Sequence, residues 1–175
     1  MTPVENVILV GFMGAGKTAI GRLLARRLGR CFVETDDLIV AREGRPIPEI
    51  FRVSGEARFR ELEAEAVESL RLKRGDVIAT GGGLPCREGR MDVLRALGTV
   101  VWLKGDFREM YERARRGGER PMLAERSAAE VEALYRERER SYAQAHLTVE
   151  TRGLGVDQIV HRILAALRPP HGARV

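Results

Sequence analysis

The chain has 175 residues, of which 44% are hydrophobic and 31% are charged. This length and composition predict one soluble globular domain with a substantial core. No apolar run approaches the roughly 18 residues of a membrane-spanning helix, and no basic N-terminal segment leads into a long apolar stretch. The sequence therefore predicts neither a membrane protein nor a secreted one.

The net charge of +5 comes with many arginines and raises the question of a nucleic-acid partner. Acidic and basic side chains alternate, as at residues 136–140, and only 5% of residues are aromatic, which leaves few rings to stack on bases. We expect no nucleic acid, because a small anionic substrate accounts for the arginines at least as well. The two cysteines, Cys31 and Cys86, lack CxxC spacing and fit a reducing cytoplasm.

A short apolar strand near the N-terminus runs into a glycine-rich loop, and a helical spacing of apolar residues follows. Residues 11–18 match the pattern GxxxxGK[ST]. In such a loop Gly14 and Gly16 let backbone N–H groups point at phosphate oxygens, and the helix N-terminus adds partial positive charge. Lys17 can reach the β- and γ-phosphates, and Thr18 can bind Mg²⁺. The sequence therefore predicts a nucleoside triphosphate site.

Carboxylates follow the second predicted strand, which covers residues 31–34. Parallel sheets bind ligands at the carboxyl ends of their strands, and Glu34 and Asp36 share a side-chain direction if the chain stays extended. One of them would hold the metal while the other faces a substrate hydroxyl. The alternative is that this acidic run caps a helix beginning near Leu38, a role that suits Asp37.

The helix predicted near residues 56–72 carries a charged pair on its buried face. Its apolar stripe consists of Phe59, Leu62, Ala66 and Leu70. Glu63 falls on the same stripe, three residues after Arg60, and can orient that guanidinium group. The spacing leaves a structural role and a substrate-binding role equally open.

The third predicted strand, residues 76–79, runs into Gly81, Gly82 and Gly83 and has no carboxylate at its end. Backbone without side chains can offer N–H groups to a ligand or allow close packing. Beside a phosphate-binding loop, this triplet indicates a second stretch of site backbone.

Two further strands, at 99–103 and 146–149, complete an alternation of strands and amphipathic helices. That alternation predicts an α/β fold, a parallel sheet with helices on both faces. Residues 115–126 are rich in Arg and Gly and predict a lid over the nucleotide, with an ordinary solvent-exposed connection as the alternative. The final helix is expected to end by residue 168, and residues 169–175 are expected to form a flexible tail.

A capping box at Ser127 and Glu130 predicts the start of the helix after the lid. On this helix Arg138 shares the apolar stripe, whereas Arg136 and Arg140 face solvent. A guanidinium group on a buried stripe needs an anion. Arg138 therefore forms either a structural ion pair or a bidentate contact with a bound carboxylate.

Taken together, these motifs resemble the shikimate kinase family over about residues 5–168. The resemblance rests on GFMGAGKT at 11–18, ETDD at 34–37, GRPIPEIF at 44–51, GEARFRELE at 55–63, TGGG at 80–83, RPML at 120–123 and RERERSY at 136–142. The glycine-rich loop alone is shared with many nucleotide-binding proteins, whereas the combination at these separations is far more specific. The family usually has Asp-x-Asp where this chain has Glu34-Thr35-Asp36.

The resemblance implies a three-layer α/β/α P-loop kinase fold with a five-stranded parallel sheet, in a single domain over 1–168. It implies an enzyme that transfers the γ-phosphoryl group of MgATP to the 3-hydroxyl of shikimate. The implied catalytic residues are Lys17, Asp36 and Arg120. The implied ATP-binding residues are Gly14, Ala15, Gly16, Lys17, Thr18, Ala19 and Arg120, with Thr18 as the Mg²⁺ ligand. The implied shikimate-binding residues are Asp36, Arg60, Gly81, Gly82, Gly83 and Arg138.

The same resemblance implies an apolar side of the substrate pocket, formed by Ile47, Phe51 and Phe59, and one more ATP-side arginine, either Arg115 or Arg116. The expected partners are ATP and shikimate, without nucleic acid or membrane, and the expected form is a cytoplasmic monomer. A gluconate kinase, a nucleoside monophosphate kinase and a P-loop switch protein are the competing interpretations.

Overall fold

The computed structural model describes residues 5–117, 123 and 126–167, and a parallel sheet lies at its centre. The strands are β1 (Asn6–Val10), β2 (Phe32–Glu34), β3 (Val77–Ala79), β4 (Gly98–Lys104) and β5 (Leu147–Glu150). They form one five-stranded sheet in the order β2-β3-β1-β4-β5, and each pairing is parallel. The predicted five-stranded parallel sheet is confirmed.

Helices connect the strands, as a parallel sheet requires. They are α1 (Lys17–Leu28), α2 (Thr35–Glu43), α3 (Ile47–Leu70), α4 (Arg90–Leu97), α5 (Phe107–Arg116), α6 (Ala128–Tyr142) and α7 (Val156–Leu167). A 3₁₀ turn, Leu84–Cys86, lies between β3 and α4. The predicted α/β class is confirmed, and the capping box formed by Ser127 and Glu130 is present at the start of α6.

The main core surrounds β1, whose five residues are all buried. A central strand covered on both faces is expected to be a continuous apolar run, and Ile8, Leu9 and Val10 are fully buried here. Because the strands are parallel, the carboxyl ends of β1, β2 and β3 reach the same edge of the sheet, the edge at which such sheets bind ligands.

A second, smaller hydrophobic cluster holds α2 against α3. Its buried members are Ile39, Ile50, Phe59, Leu62 and Ala66, and Leu38, Ile47 and Phe51 pack against it half-buried. The rings of Phe51 and Phe59 lie 4.6 Å apart between centroids. This cluster buries Phe59, Leu62 and Ala66 of the predicted stripe of α3, whereas Leu70 packs in the main core. The stripe fixes the face of α3 on which Glu63 lies.

The helix predicted near residues 56–72 forms the second segment of α3. A first segment begins at Ile47, directly after Pro46, and was not predicted; the second ends at Leu70. Gly55 interrupts α3 with φ 75° and ψ 175°, a backbone conformation that favours glycine. The predicted helix is therefore the second half of a broken helix, and the break lies one residue before Glu56.

The prediction of a lid over residues 115–126 needs one correction. Arg115 and Arg116 are the last two residues of α5 and are exposed, so the loop cannot start before Gly117. Most of the remaining lid, including Arg120, and the tail at 169–175 lie outside the described residues, so their predicted roles stay predictions, as does the single-domain division. Within the described ranges, no helix combines the length and apolar character needed to cross a membrane.

Candidate active site

The glycine-rich loop joins β1 to α1 as predicted. Gly16 has φ 87° and immediately precedes the first residue of α1, so the backbone amides of the loop end at a helix N-terminus. Gly14 has φ 76°, and a Cβ atom there would collide with the carbonyl oxygen of Met110. Two alanines were expected to bind ATP: Ala15 is buried in the loop, and Ala19 is exposed on the first turn of α1. The loop therefore offers an anion site of fixed shape.

Lys17 and Thr18 are the first two residues of α1, and both side chains donate hydrogen bonds to named partners. The Lys17 ammonium group donates to the backbone carbonyl oxygens of Gly11 (2.8 Å) and Phe12 (3.0 Å). The Thr18 hydroxyl donates to Oε1 of Glu34 at 2.6 Å. A hydroxyl and a carboxylate oxygen at this distance are the hard oxygen donors that Mg²⁺ prefers. Thr18 and Glu34 therefore form an oxygen pair next to the anion site.

Asp36 does not continue β2 in extended form, contrary to our expectation. Helix α2 begins at Thr35 with Glu34 as its N-cap residue, so Asp36 and Asp37 lie in its first turn. No side chain in the described part of the chain forms a capping hydrogen bond there. The extended geometry on which the shared direction of Glu34 and Asp36 depended is therefore absent at Asp36, and the predicted capping by Asp37 was wrong. The reason is a tertiary contact: the backbone N–H of Gly81 donates to the Thr35 hydroxyl at 2.9 Å, which ties the start of α2 to the loop after β3.

The pKa of Asp36 is raised above its ordinary value. Burial is the largest cause, the charge of Lys17 opposes it, and the charges of Glu63 and Glu34 add to it. A Cβ atom on Gly81 would lie 2.8 Å from Oδ1 of Asp36, so only glycine leaves this carboxylate its present space. Asp36 is thus a carboxylate with increased proton affinity at the edge that holds the phosphate loop.

Two guanidinium groups from different helices approach the glycine triplet. A Cβ atom on Gly83 would lie 3.3 Å from Nη2 of Arg138 and 3.9 Å from Nη1 of Arg60. A Cβ atom on Gly82 would lie 3.8 Å from Nη1 of Arg138. The absence of side chains at the triplet therefore leaves a space that both arginines border.

The two arginines differ in their own partners. Arg60 Nη1 lies 2.6 Å from Oε2 of Glu63, whose side chain is only 7% exposed. Arg138 forms no ion pair with any residue in the described part of the chain; its guanidinium carbon lies 5.8 Å from the Phe12 ring centroid. The structural ion pair considered for Arg138 is therefore not seen among these residues, whereas Arg60 has one. Arg136 and Arg140 are exposed, as the helix phase predicts.

Other contacts hold the triplet in place and were not anticipated. The Tyr142 hydroxyl donates to the carbonyl oxygen of Gly82 at 2.7 Å. Phe12 supplies the ring under Arg138. Glu56 and Arg87 form further ion pairs around Arg60. Of these, only the Glu56–Arg60 pair has a sequence signal, its i, i+4 spacing, because the others join segments far apart in the chain.

The chain is similar to known proteins along almost its whole length. A sequence family described as shikimate kinase matches residues 13–168. The chain is similar to the shikimate kinase of Persephonella marina, with 39% identity over 94% of this chain and 100% of that protein. It is also similar to the shikimate kinase of Geobacter sulfurreducens, with 44% identity over 94% of this chain and 91% of that protein.

A solved structure has the same fold with the same extent. The shikimate kinase from Acinetobacter baumannii in complex with shikimate superimposes with a TM-score of 0.88 and 35% identity, and the match covers 94% of this chain and 93% of that one. The relatives thus match the chain along almost its whole length. The matched part contains the phosphate loop, the carboxylate of raised pKa and the two arginines beside the glycine triplet. The chain belongs to the shikimate kinase family.

Proposed function

We propose that this kinase transfers the γ-phosphoryl group of MgATP to the 3-hydroxyl of shikimate, giving shikimate 3-phosphate and ADP. The observation that carries the proposal is the approach of Arg60 and Arg138 to one space beside Gly83. This space lies at the sheet edge that also carries the phosphate loop and Asp36. Such an arrangement suits an acceptor whose carboxylate binds the arginines next to the triphosphate site.

Arg60 and Arg138 bind the carboxylate of the acceptor in this proposal. Arg138 is the stronger candidate, because a half-buried guanidinium group without an ion pair among the described residues retains its charge for a ligand. Gly81, Gly82 and Gly83 provide backbone against the acceptor ring. The half-buried side chains of Ile47 and Phe51 and the buried Phe59 belong to the cluster that supports Arg60.

Asp36 holds the reacting hydroxyl and accepts its proton. Its raised pKa supports this role, because a carboxylate with greater proton affinity is a better acceptor at neutral pH. Phosphoryl transfer depends mainly on positioning and on stabilising charge. The role of Asp36 is therefore to orient the hydroxyl toward the γ-phosphate as well as to take its proton.

Lys17 and the loop amides from Gly14 to Ala19 bind the phosphates. Lys17 is already directed at the loop, where it donates to two backbone carbonyls. Thr18 would hold Mg²⁺, with Glu34 beside it, and the bound ion would neutralise charge on the phosphates. Mg²⁺ usually takes few protein ligands and keeps several waters, so this oxygen pair fits it. Arg120 and the predicted lid would add positive charge and exclude water.

The proposal is tested by measuring ADP release with a coupled assay in the presence of Mg²⁺ and ATP. Shikimate, gluconate, AMP and RNA are offered separately as acceptors or stimulators. We expect shikimate to stimulate ADP release and to be recovered as shikimate 3-phosphate. Consumption of another acceptor, with no phosphorylated shikimate, would overturn the proposal.

The variant Lys17→Met separates the proposed chemistry from a contaminating activity. We expect it to lose turnover while its far-UV circular dichroism and its thermal unfolding remain those of a folded protein, because Lys17 is half-buried at the surface of the loop. Retained turnover would remove Lys17 from the mechanism.

A further inference from the structure

The Glu56 carboxylate connects two arginines of the site. Its Oε1 accepts from Arg60 Nε at 3.1 Å and from Arg60 Nη2 at 2.8 Å. The same oxygen accepts from Arg87 Nη2 at 3.1 Å. Hydrogen bonds from Arg60, then the charge of Arg60 and the hydrogen bond from Arg87, lower the pKa of Glu56, so this carboxylate is ionised at neutral pH.

These three residues lie on segments that border the glycine triplet. Glu56 directly follows Gly55, where α3 is interrupted, and Arg60 lies one turn further along the same helix. Arg87 directly follows the 3₁₀ turn Leu84–Cys86, which itself begins after Gly83. The contact between Glu56 and Arg87 therefore connects the break in α3 with the segment that follows the glycine triplet.

Two carboxylates restrict the orientation of the Arg60 guanidinium group. Glu63 holds Nη1, and Glu56 holds Nε and Nη2. With Glu63 alone, the planar group would be held through one nitrogen and could rotate about that contact. With both, its plane is fixed, and Nη1 is the atom that approaches Gly83. Glu56 thus determines how Arg60 faces the candidate site.

The same arrangement places negative charge near a site for an anion. Glu56 and Glu63 carry two negative charges around the single positive charge of Arg60, which by itself would repel a carboxylate ligand. Arg87 restores the balance through its contact with Glu56. Both Arg87 and Glu56 are largely exposed, so the effect on binding is modest, a factor of about two to five for such a pair.

From this geometry we propose that Glu56 and Arg87 are positioning residues for binding of the acceptor carboxylate, an inference that rests on the proposed role of Arg60. Glu56 orients the Arg60 guanidinium group, and Arg87 acts through Glu56. Neither residue touches the acceptor or ATP. Their effect therefore falls on the binding of shikimate rather than on the chemical step.

The test compares Glu56→Gln, Arg87→Gln and the double variant in steady-state assays that vary shikimate and ATP separately. Glu56→Gln frees the Arg60 guanidinium group but also removes a negative charge near the anion, and the loss of orientation is expected to dominate. We therefore expect Glu56→Gln and Arg87→Gln each to raise KM for shikimate about two- to fivefold, with KM for ATP and kcat nearly unchanged. Because Arg87 acts through Glu56, the double variant is expected to resemble Glu56→Gln. Arg87→Lys keeps the charge and is expected to recover most of the loss.

Glu61→Gln is the matched control, since Glu61 lies on the same helix and its carboxylate pairs with Arg58 away from the triplet. We expect it to change KM for shikimate by less than about 1.5-fold. The inference is overturned if Glu56→Gln behaves like this control, if the effects of the two single variants simply multiply, or if kcat falls while KM does not. If Arg60→Ala itself leaves KM for shikimate unchanged, the proposed role of Arg60 fails and this inference fails with it. If KM for shikimate is raised in Arg60→Ala but unchanged in Glu56→Gln, only the positioning role of Glu56 is refuted.

Discussion

Replacing Arg138 with alanine separates ligand binding from folding, because this guanidinium group has no ion pair among the described residues. Its Nη1 and Nη2 border the space beside Gly82 and Gly83. Hydrogen bonds to a charged group contribute about 1.5–3 kcal/mol, and each 1.4 kcal/mol is tenfold in affinity. We therefore expect Arg138→Ala to raise KM for shikimate about 10- to 150-fold. Loss of the contact with Phe12 costs only about 0.5–1 kcal/mol of folding free energy.

Arg60→Ala gives the informative contrast. It also removes a predicted ligand of the carboxylate, but it leaves the buried Glu63 carboxylate without its 2.6 Å partner. An unsatisfied buried group costs about 1–3 kcal/mol, more when it is charged. For a chain of this size 1 kcal/mol lowers Tm by about 2–4 °C. We therefore expect Arg60→Ala to lower Tm by about 3–10 °C, and Arg138→Ala to lower it by less than about 4 °C.

The assay pairs steady-state kinetics with thermal unfolding of the same preparations, and Arg140→Ala is the control. Arg140 is exposed on the same helix, so its removal should change neither KM nor Tm. The reasoning is refuted if Arg140→Ala raises KM as much as Arg138→Ala does. It is also refuted if Arg138→Ala lowers Tm as much as Arg60→Ala, since Arg138 would then have a structural partner.

Two further predictions follow from the same contacts. Gly83 has φ −84° and ψ −21°, which alanine adopts without strain, so Gly83→Ala should leave Tm unchanged. It should raise KM for shikimate about tenfold, because the new methyl group enters the space between the guanidinium groups, and an unchanged KM would contradict this. Gly155→Ala is the control, since its new methyl group would make only an ordinary 3.7 Å contact with Gln158. Burial raises the pKa of Asp36, so its carboxyl group favours the folded state while protonated, and this contribution is lost as pH rises through the folded-state pKa. Asp36→Asn should therefore raise Tm at about pH 8, with a smaller gain in Tm at about pH 4, although it should abolish turnover. A Tm at about pH 8 below that of the unaltered enzyme would contradict the burial effect.

Local signals were sufficient for the scaffold of the site. The apolar run before Gly11, the glycines of the loop and the spacing after Thr18 all act within a few residues, and they predicted β1, the loop and α1 correctly. The capping box at Ser127 and the apolar stripe of α6 likewise predicted which arginine is half-buried. These features are local because side-chain periodicity and capping depend on neighbours in the chain.

The start of α2 was not predictable in the same way. β2 has only three residues, and the acidic run after it allows a helix start without fixing its position. The helix starts there with the Thr35 hydroxyl bound to the backbone of Gly81, 46 residues away in the chain. The contact between Glu34 and Thr18 likewise joins the end of β2 to the first turn of α1, 16 residues away in the chain. Local propensity carries no information about such contacts.

Three carboxylates at this edge of the sheet have three different surroundings, and these surroundings suggest different roles. Glu34 accepts from Thr18, and Glu63 pairs with Arg60. Among the described residues, none donates a hydrogen bond to the side chain of Asp36, whose pKa burial raises. We infer that Asp36 accepts the proton because Glu34 and Glu63 are already engaged; while they keep those partners, neither could replace it.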